Sequence, residues 1–211
     1  QRVQEYQIMK VETFKNGVLG VNTYFLIGDN GDAVCIDCGE KYERTLKAAE
    51  GLGVKIKAIL LTHAHFDHSA AGKRFQEDGV PVYISEKDNA KLSNDGNLAA
   101  LFERPFDPYS ADFTFKDGDE LDLCGYKIKV IETAGHTDGS VTFITGNVMF
   151  SGDTLFYMSY GNTGFVSGSL ADMKKSLDKL FSFTENYVVL PGHGQKTSLF
   201  FERENNPINY D

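Results

Sequence analysis

The chain has 211 residues, of which 41% are hydrophobic and 24% are charged, and its formal net charge is −9. A chain of this length can bury one sizeable core, while the acidic balance and the lack of a Lys/Arg-rich run disfavour nucleic acid as a partner. No stretch approaches the roughly 20 apolar residues of a membrane span, which disfavours a membrane partner. The N-terminal sequence QRVQEYQIMK lacks the apolar core of a secretion signal, so we expect a cytoplasmic location.

The first half of the chain predicts alternating strands and helices. NTYFLIG and DAVCID are predicted strands joined by the turn 29–32, and a helix is predicted from about Lys41. KAILL predicts a short buried strand that leads into LLTHAHFDHS, and another helix is predicted near Ser69. Cys35 and Cys38 are predicted to point to opposite faces of an extended strand, which favours two packed thiols over a metal or disulfide pair.

The second half predicts further strands around one long helix. ADFTFKDGDELDL predicts a hairpin that turns at Asp117-Gly118, and YKIKVIET, VTFIT, NVMFS and YVVLP predict strands. Ser169 and Asp172 form a capping-box pattern at the start of a helix. The stretch 86–111 predicts a loop-rich excursion, a common location for a segment that overhangs a site. No repeat or linker divides the chain, so we predict a single domain over residues 1–211.

The histidines are concentrated at the predicted strand ends, and three of the five lie within LLTHAHFDHS. His63 and His65 are two residues apart, so on an extended segment both side chains leave the same face and can bind one cation. Asp67 and His68 follow as the chain enters a helix, and they offer an oxygen and a nitrogen to a second cation nearby. The spacing therefore predicts a metal site at the end of this strand.

Three later residues complete the candidate set. His136 in AGHTDGS, Asp153 in FSGDTLF and His193 in PGHGQ each follow a predicted strand and stand beside glycine. Taken singly, each is more often a turn or surface residue than a ligand. Together with the four residues of LLTHAHFDHS they form a set of seven candidate ligands, in which Asp153 is the candidate bridge between two cations.

These residues carry a resemblance to a known family. THAHFDH at 62–68 resembles the THxHxDH motif of the metallo-beta-lactamase superfamily, and GHTDGS, SGDTLF and PGHG match its later motifs in order and approximate spacing. The resemblance covers nearly the whole chain and implies an αββα sandwich, in which two mixed β-sheets lie face to face with helices on their outer faces. It also implies two ligand sets with a bridge: His63, His65 and His136 for one metal, Asp67, His68 and His193 for the other, and Asp153 between them.

Within this superfamily the chain is similar to short, single-domain glyoxalase II-like hydrolases, which have an aspartate at the position of Asp153 where lactam-cleaving members typically have a cysteine. The resemblance implies thioester hydrolysis by a hydroxide that bridges two divalent metal ions; zinc is the expected metal, and iron or manganese also suits histidine and carboxylate ligands. A thiolate leaves without protonation by a strong protein acid, and no such acid is evident beyond Asp67, which is therefore the candidate acid–base residue.

Three alternative functions remain open at this point. A persulfide dioxygenase-like enzyme would hold a single iron through His63, His136 and Asp153. A hydrolase of the same family could act on a lactone or a phosphodiester instead of a thioester. A metal-binding relative without catalysis is the third alternative, although structural metal sites usually close with four ligands around one ion.

The residue pattern after Asp153 predicts a loop, and we expect this loop to contact a small-molecule substrate. It contains Gly161, Gly164 and Gly168 and has neither a helical nor a strand period. Glyoxalase II of the full-length type carries a basic residue in this region and a helical C-terminal domain that helps to hold glutathione, whereas the given sequence has Asn162 here and continues for 18 residues after His193. We therefore predict a thiol moiety less charged than glutathione. The predicted substrate contacts are Phe156, Tyr157, Tyr160, Asn162 and Phe165.

Overall fold

The first sheet contains the strands from the N-terminal half of the chain. The computed structural model describes residues 9–210, so most of the N-terminal sequence that we used to predict the location lies outside the described residues. The sheet has six strands in chain order: β1 (Lys10–Asn16), β2 (Val21–Ile27), β3 (Asp32–Ile36), β4 (Lys55–Leu60), β5 (Val82–Ser85) and β6 (Phe113–Phe115). The first three strands are antiparallel, and β3 to β6 are parallel.

The second sheet is also mixed and contains six strands. In chain order they are β7 (Glu120–Leu123), β8 (Tyr126–Glu132), β9 (Val141–Thr145), β10 (Val148–Gly152), β13 (Val188–Pro191) and β14 (Thr197–Ser198). Strands β7 to β10 form an antiparallel meander, β13 lies parallel to β10, and β14 pairs with β13 at the edge. A separate two-stranded ribbon consists of β11 (Leu155–Phe156) and β12 (Ser159–Tyr160).

Helices cover the outer faces of both sheets, because parallel neighbouring strands require crossover connections. The helices are α1 (Tyr42–Leu52), α2 (Phe66–Ser69), α3 (Gly72–Glu77), α4 (Glu86–Asn89), α5 (Leu170–Phe181) and α6 (Leu199–Asn205), with short 3-10 turns at Ala90–Ser93, Asp95–Asn97 and Pro207–Asn209. Ser169 caps α5, as predicted, by accepting a hydrogen bond from the Asp172 N–H. Between residues 9 and 210, no helix is long and apolar enough to cross a membrane.

Three apolar layers stabilise this arrangement and confirm the predicted αββα sandwich. The central layer lies between the sheets, where Leu26 and Leu60 of the first sheet meet Val130 and Phe143 of the second. One outer layer packs α1 and α3 on the first sheet, and the other packs α5 and α6 on the second. A fully buried Phe or Leu side chain contributes roughly 1.5–3 kcal/mol by its removal from water, so these layers dominate the stability of the fold.

Two local predictions about the six-stranded sheets were wrong. Asp117-Gly118 does turn, but β6 pairs with β5 in the first sheet while β7 pairs with β8 in the second, so the two segments form no hairpin. Cys35 and Cys38 lie in the same apolar layer, because the strand ends at Ile36 and Asp37 adopts a left-handed backbone with φ 54°. Both thiols are free and buried, as expected for packing residues.

Candidate metal centre

The candidate ligands lie where strands of both sheets end. Strands β3 and β4 are parallel, so the Asp37 that follows β3 lies beside the His63–His68 segment that follows β4. In the second sheet β10 and β13 are parallel, which likewise brings Asp153 next to His193. Because ligands in open α/β sheets bind beyond the carboxyl ends of the strands, this edge of the sandwich is the expected place for a site.

Three imidazoles converge on one point. The Nδ1 atom of His65 is 3.0 Å from Nε2 of His63 and 2.8 Å from Nε2 of His136. The other nitrogens of two rings have partners, since His136 Nδ1 donates to the Asn162 carbonyl at 2.7 Å and His63 Nδ1 lies 3.1 Å from the Thr62 hydroxyl. These partners direct the lone pairs of His63 and His136 toward His65, as in the outer shell of a metal-binding histidine.

A second set lies beside the first and contains a carboxylate. His193 Nε2 is 3.1 Å from Asp67 Oδ2 and 3.3 Å from His68 Nε2, and His68 Nε2 is 3.6 Å from the same Asp67 oxygen. Asp153 stands between the two sets: its Oδ1 is 3.4 Å from His68, and its Oδ2 is 3.5 Å from His136 and 3.6 Å from His193. The structure therefore brings together all seven residues predicted from the sequence.

Burial and charge give the two sets different electrostatics. Burial and the neighbouring His136 lower the pKa of His65 to about 3, and burial with three other imidazoles lowers the pKa of His63 well below its usual value. Burial also opposes a charge on His68, but the nearby carboxylates of Asp153, Asp67 and Asp37 outweigh it and raise the His68 pKa. Burial disfavours the charged form of Asp153, yet His68 and the other imidazoles hold its pKa well below the usual range.

The donor groups fit divalent cations. In each of three groups the ligand atoms lie within 4.8 Å of one another: His63, His65 and His136; His63, His68 and Asp153; and Asp67, His68 and His193. Asp153 Oδ1 is buried and makes no hydrogen bond with any of residues 9–210. Imidazole nitrogens that face one another at hydrogen-bond distance compete for protons, whereas a cation accepts lone pairs from all of them. The cluster is therefore better satisfied by metal ions than by its own hydrogen bonds.

Two further carboxylates support the ligands and were missed by sequence reasoning. Asp37 accepts hydrogen bonds from the Thr62 N–H, the Thr62 hydroxyl and His68 Nδ1, each at 2.8 Å. Asp88, which is fully buried, accepts from the Ala64 N–H at 2.9 Å. A carboxylate that follows a strand or lies in a short helix has no distinctive local pattern, so only the parallel strand order, which places β3, β4 and β5 side by side, could have indicated these two residues.

Glycine is required where the loops meet the ligands. A side chain at Gly192 would overlap the Asp153 carboxylate and the His68 ring, so only glycine lets the PGHG segment lie against them. The Asn22 backbone N–H and side-chain amide hold this segment by donating to the carbonyls of Gly192 and Pro191 at 2.7 and 2.8 Å. His193 is consequently fixed by the first sheet although it belongs to the second.

The predicted substrate residues are divided between two environments. The Phe165 ring centre is 6.0 Å from that of His65, and the Phe156 ring centre is 6.2 Å from that of His193. Tyr157 stacks on Phe201 of α6 at 5.5 Å, and Tyr160 packs against the apolar layer beneath α5. The segment that was expected to lack regular structure contains the β11–β12 ribbon, which explains why Phe156 and the two tyrosines point in different directions.

Phe102 is an additional aromatic residue near the site that the sequence did not single out. Its ring centre is 6.2 Å from that of Phe165, and its side chain is 39% exposed. Phe102 belongs to the stretch 86–111 that was predicted to be a loop-rich excursion. Asn162, the fifth predicted contact, is exposed, and its side-chain oxygen accepts the Gly164 N–H at 2.8 Å while its carbonyl supports His136.

Comparison with known proteins agrees with this geometry. Residues 16–193 match the sequence profile of the Metallo-beta-lactamase superfamily. The chain belongs to the metallo-beta-lactamase superfamily. The quoted motifs lie within the matched range except for the last residue of PGHG, Gly194, and the two-sheet sandwich matches the fold of a solved member.

Individual members of the superfamily are similar over nearly their full length. A protein named hydroxyacylglutathione hydrolase GloC, from Haemophilus influenzae, is 31% identical over 95% of this chain and 97% of its own. The crystal structure of the B3 metallo-beta-lactamase BLEG-1 matches with a TM-score of 0.88 and 31% identity, over 94% of this chain and 98% of that one. The protein TTHA1623, solved in a di-iron-bound form, matches with a TM-score of 0.82 and 31% identity, over 93% and 98% of the two chains.

Proposed function

We propose that the protein is a metal-dependent hydrolase that cleaves thioesters at a centre of two divalent cations. The observation that carries the proposal is the convergence of ring nitrogens from His63, His65 and His136 beside a second set that shares Asp153. Neither set is complete as a hydrogen-bond network, and each offers the ligand types of a catalytic metal site. In this proposal His63, His65 and His136 would hold one ion, Asp67, His68 and His193 would hold the other, and Asp153 would contribute to both.

Two divalent cations held by these residues would supply an activated water and would polarise the substrate carbonyl. The protein's own residues orient the reactants. Burial disfavours a charge on Asp67, but His68 and His193 hold its pKa below the usual value. Ionised Asp67 can therefore accept a hydrogen bond from the attacking water. Phe165 and Phe156 border the centre and pack against the acyl and thiol arms of the substrate.

Thioester hydrolysis suits these residues better than cleavage of bonds with more basic leaving groups. A thiolate has a conjugate acid with a pKa of about 8.5, so it departs without protonation by a strong acid. Asp67 and Asp153 are the carboxylates among the seven predicted ligands, and both are held ionised. The Haemophilus influenzae relative is named a hydroxyacylglutathione hydrolase, and an acylated glutathione is a thioester.

The test combines metal analysis with substrate profiling. Protein from its native source is analysed for zinc, iron and manganese, and kcat/KM is measured on a thioester, a lactone, a phosphodiester and a β-lactam. We expect two ions per chain and the highest kcat/KM on the thioester. Zinc is the expected metal. Iron is measured as well because TTHA1623 was solved in a di-iron-bound form. One iron per chain, together with oxygen consumption on a glutathione persulfide, would instead establish the dioxygenase alternative.

A further inference from the structure

A buried carboxylate outside the candidate ligands connects the two loops that hold the first set. Asp88 lies in the four-residue helix α4, directly after β5, and its side chain is fully buried. A buried charge is costly unless hydrogen bonds and an opposite charge compensate it. The groups that compensate Asp88 therefore indicate what this carboxylate does.

One oxygen of Asp88 contacts both ligand loops. Oδ2 accepts from the Ala64 N–H at 2.9 Å, and Ala64 lies between His63 and His65. The same oxygen accepts from the Thr137 hydroxyl at 3.0 Å, and Thr137 directly follows His136. These loops belong to different sheets, and the three histidines they carry form the first set. A single atom thus fixes the separation of the two loops.

The other oxygen of Asp88 forms an ion pair with Lys91. Lys91 Nζ lies 2.7 Å from Asp88 Oδ1 and 2.5 Å from Asp138 Oδ1, and the Lys91 side chain is 11% exposed. The contacts around α4 extend further, since the Ser85 hydroxyl donates to the Gly139 carbonyl at 2.6 Å. A side chain at Gly139 would overlap both Asp88 and Ser85, so the loop after His136 is packed directly on this helix.

We propose that Asp88 is a positioning residue that sets the affinity of the His63, His65 and His136 site by holding its two loops together. This inference rests on the proposed metal centre. Outer-shell partners of metal ligands typically change metal affinity by about 10- to 100-fold. The second set has its own supporting carboxylate, Asp37 on His68, so the effect of Asp88 is confined to the first set.

The experiment is a zinc titration of apoprotein against a chromophoric chelator. Asp88→Ala is expected to weaken one of two zinc sites by about 10- to 100-fold and to leave the other within about twofold. In a His136→Ala background, which lacks the first set, adding Asp88→Ala is expected to change the affinity of the remaining site by less than about twofold. The melting temperature of each apoprotein is measured to confirm that the chain is folded.

A rescue variant separates positioning from packing. In Asp88→Asn the amide oxygen can accept from Ala64 and Thr137, but its NH₂ group then faces the Lys91 ammonium. We expect Asp88→Asn to weaken the first site and Asp88→Asn with Lys91→Met, which removes the opposing donor, to restore most of the affinity. If Asp88→Ala fails to fold, the double variant and Asp88→Asn still test the inference, since both keep the size of the buried side chain at position 88.

The matched control is Glu202→Ala. Glu202 is another fully buried carboxylate, and it accepts from the Met158 N–H, the Thr197 hydroxyl and the Asn206 amide. Its loss is expected to lower the melting temperature without selective weakening of one zinc site.

The outcomes separate this inference from the proposed function. If the wild type binds two zinc ions and Asp88→Ala leaves both sites unchanged or weakens them equally, the positioning role alone is overturned. The same conclusion follows if the variant with both Asp88→Asn and Lys91→Met binds zinc as weakly as Asp88→Ala. A wild-type chain that binds no zinc or other divalent ion overturns the proposed function itself.

Discussion

The two ligand sets lie side by side but differ in charge and in access to solvent. His63, His65 and His136 are 0–3% exposed and include no carboxylate. The second set contains Asp67, has Asp37 behind His68, and includes His193, whose side chain is 26% exposed. Five histidines of one site thus fall into two environments. Burial among other imidazoles lowers the pKa values of His63 and His65 in the first set, whereas nearby carboxylates raise the pKa of His68 in the second.

The largest expected effect is at the residue shared by both sets. Asp153→Ala removes the oxygens that face His68 and His136, so we expect both ions to bind more weakly and kcat to fall by about 10³-fold or more, because members of such a unit act together. Metal content and thioester turnover are the measurements. Asp122→Ala, an exposed aspartate on β7, is the control. Near wild-type turnover in Asp153→Ala would refute the proposed centre.

The difference in exposure predicts a difference in chemical rescue. His136→Ala and His193→Ala should each leave one ion per chain and lower kcat by orders of magnitude. His68→Ala is likewise expected to deplete the second set selectively. Added imidazole should restore part of the activity of His193→Ala, because the space it leaves opens to solvent, and none in His136→Ala, whose side chain is 4% exposed. Equal rescue of both variants would remove the distinction between a buried and an open set.

Metal removal tests how far the sets stabilise the fold. An ion at a free concentration 100-fold above its Kd stabilises the folded chain by about 2.7 kcal/mol, which in a chain of this size corresponds to about 5–10 °C in Tm. Chelation should therefore abolish activity and lower Tm by that amount, measured by differential scanning calorimetry. In Asp153→Ala the same treatment should shift Tm much less. An unchanged Tm after verified metal removal contradicts a centre linked to the core.

The smallest expected effect concerns the substrate arm. Asn162→Arg adds a cation to the loop beside the first set, and an exposed ion pair contributes up to about 1 kcal/mol, so kcat/KM for a glutathione thioester should rise about fivefold at most over that for an uncharged thioester. Asn162→Ala is the control, because it also removes the hydrogen bond to the Gly164 N–H without adding charge. A strong wild-type preference for the glutathione conjugate that Asn162→Arg leaves unchanged would contradict our interpretation of this loop.

The resemblance to a known family, carried by four motifs, predicted the architecture, whereas the seven clustered residues leave local patterns of their own. His63 and His65 are two residues apart on an extended segment, and Asp67 and His68 follow them into a helix. The other three residues stand at glycine-flanked strand ends. The hairpin at Asp117-Gly118 was predicted wrongly because turn chemistry is local, whereas the sheet that a strand joins depends on distant partners. Asp37 and Asp88 were missed for the same reason: their partners in the ligand loops lie 24 to 49 residues away.

The aromatic residues beside the centre are carried by separate loops. Phe102 belongs to the excursion between β5 and β6, Phe156 to the β11–β12 ribbon, and Phe165 to the segment before α5. None of these connections determines strand register, and lengthening a loop twofold costs only about 0.6 kcal/mol in closure entropy. Insertions there that spare Asp88 and Asn162 can reshape the proposed substrate pocket while the strand ends keep the candidate ligands in place. Within this architecture, the proposed substrate range can therefore change without a change in the set of candidate ligands.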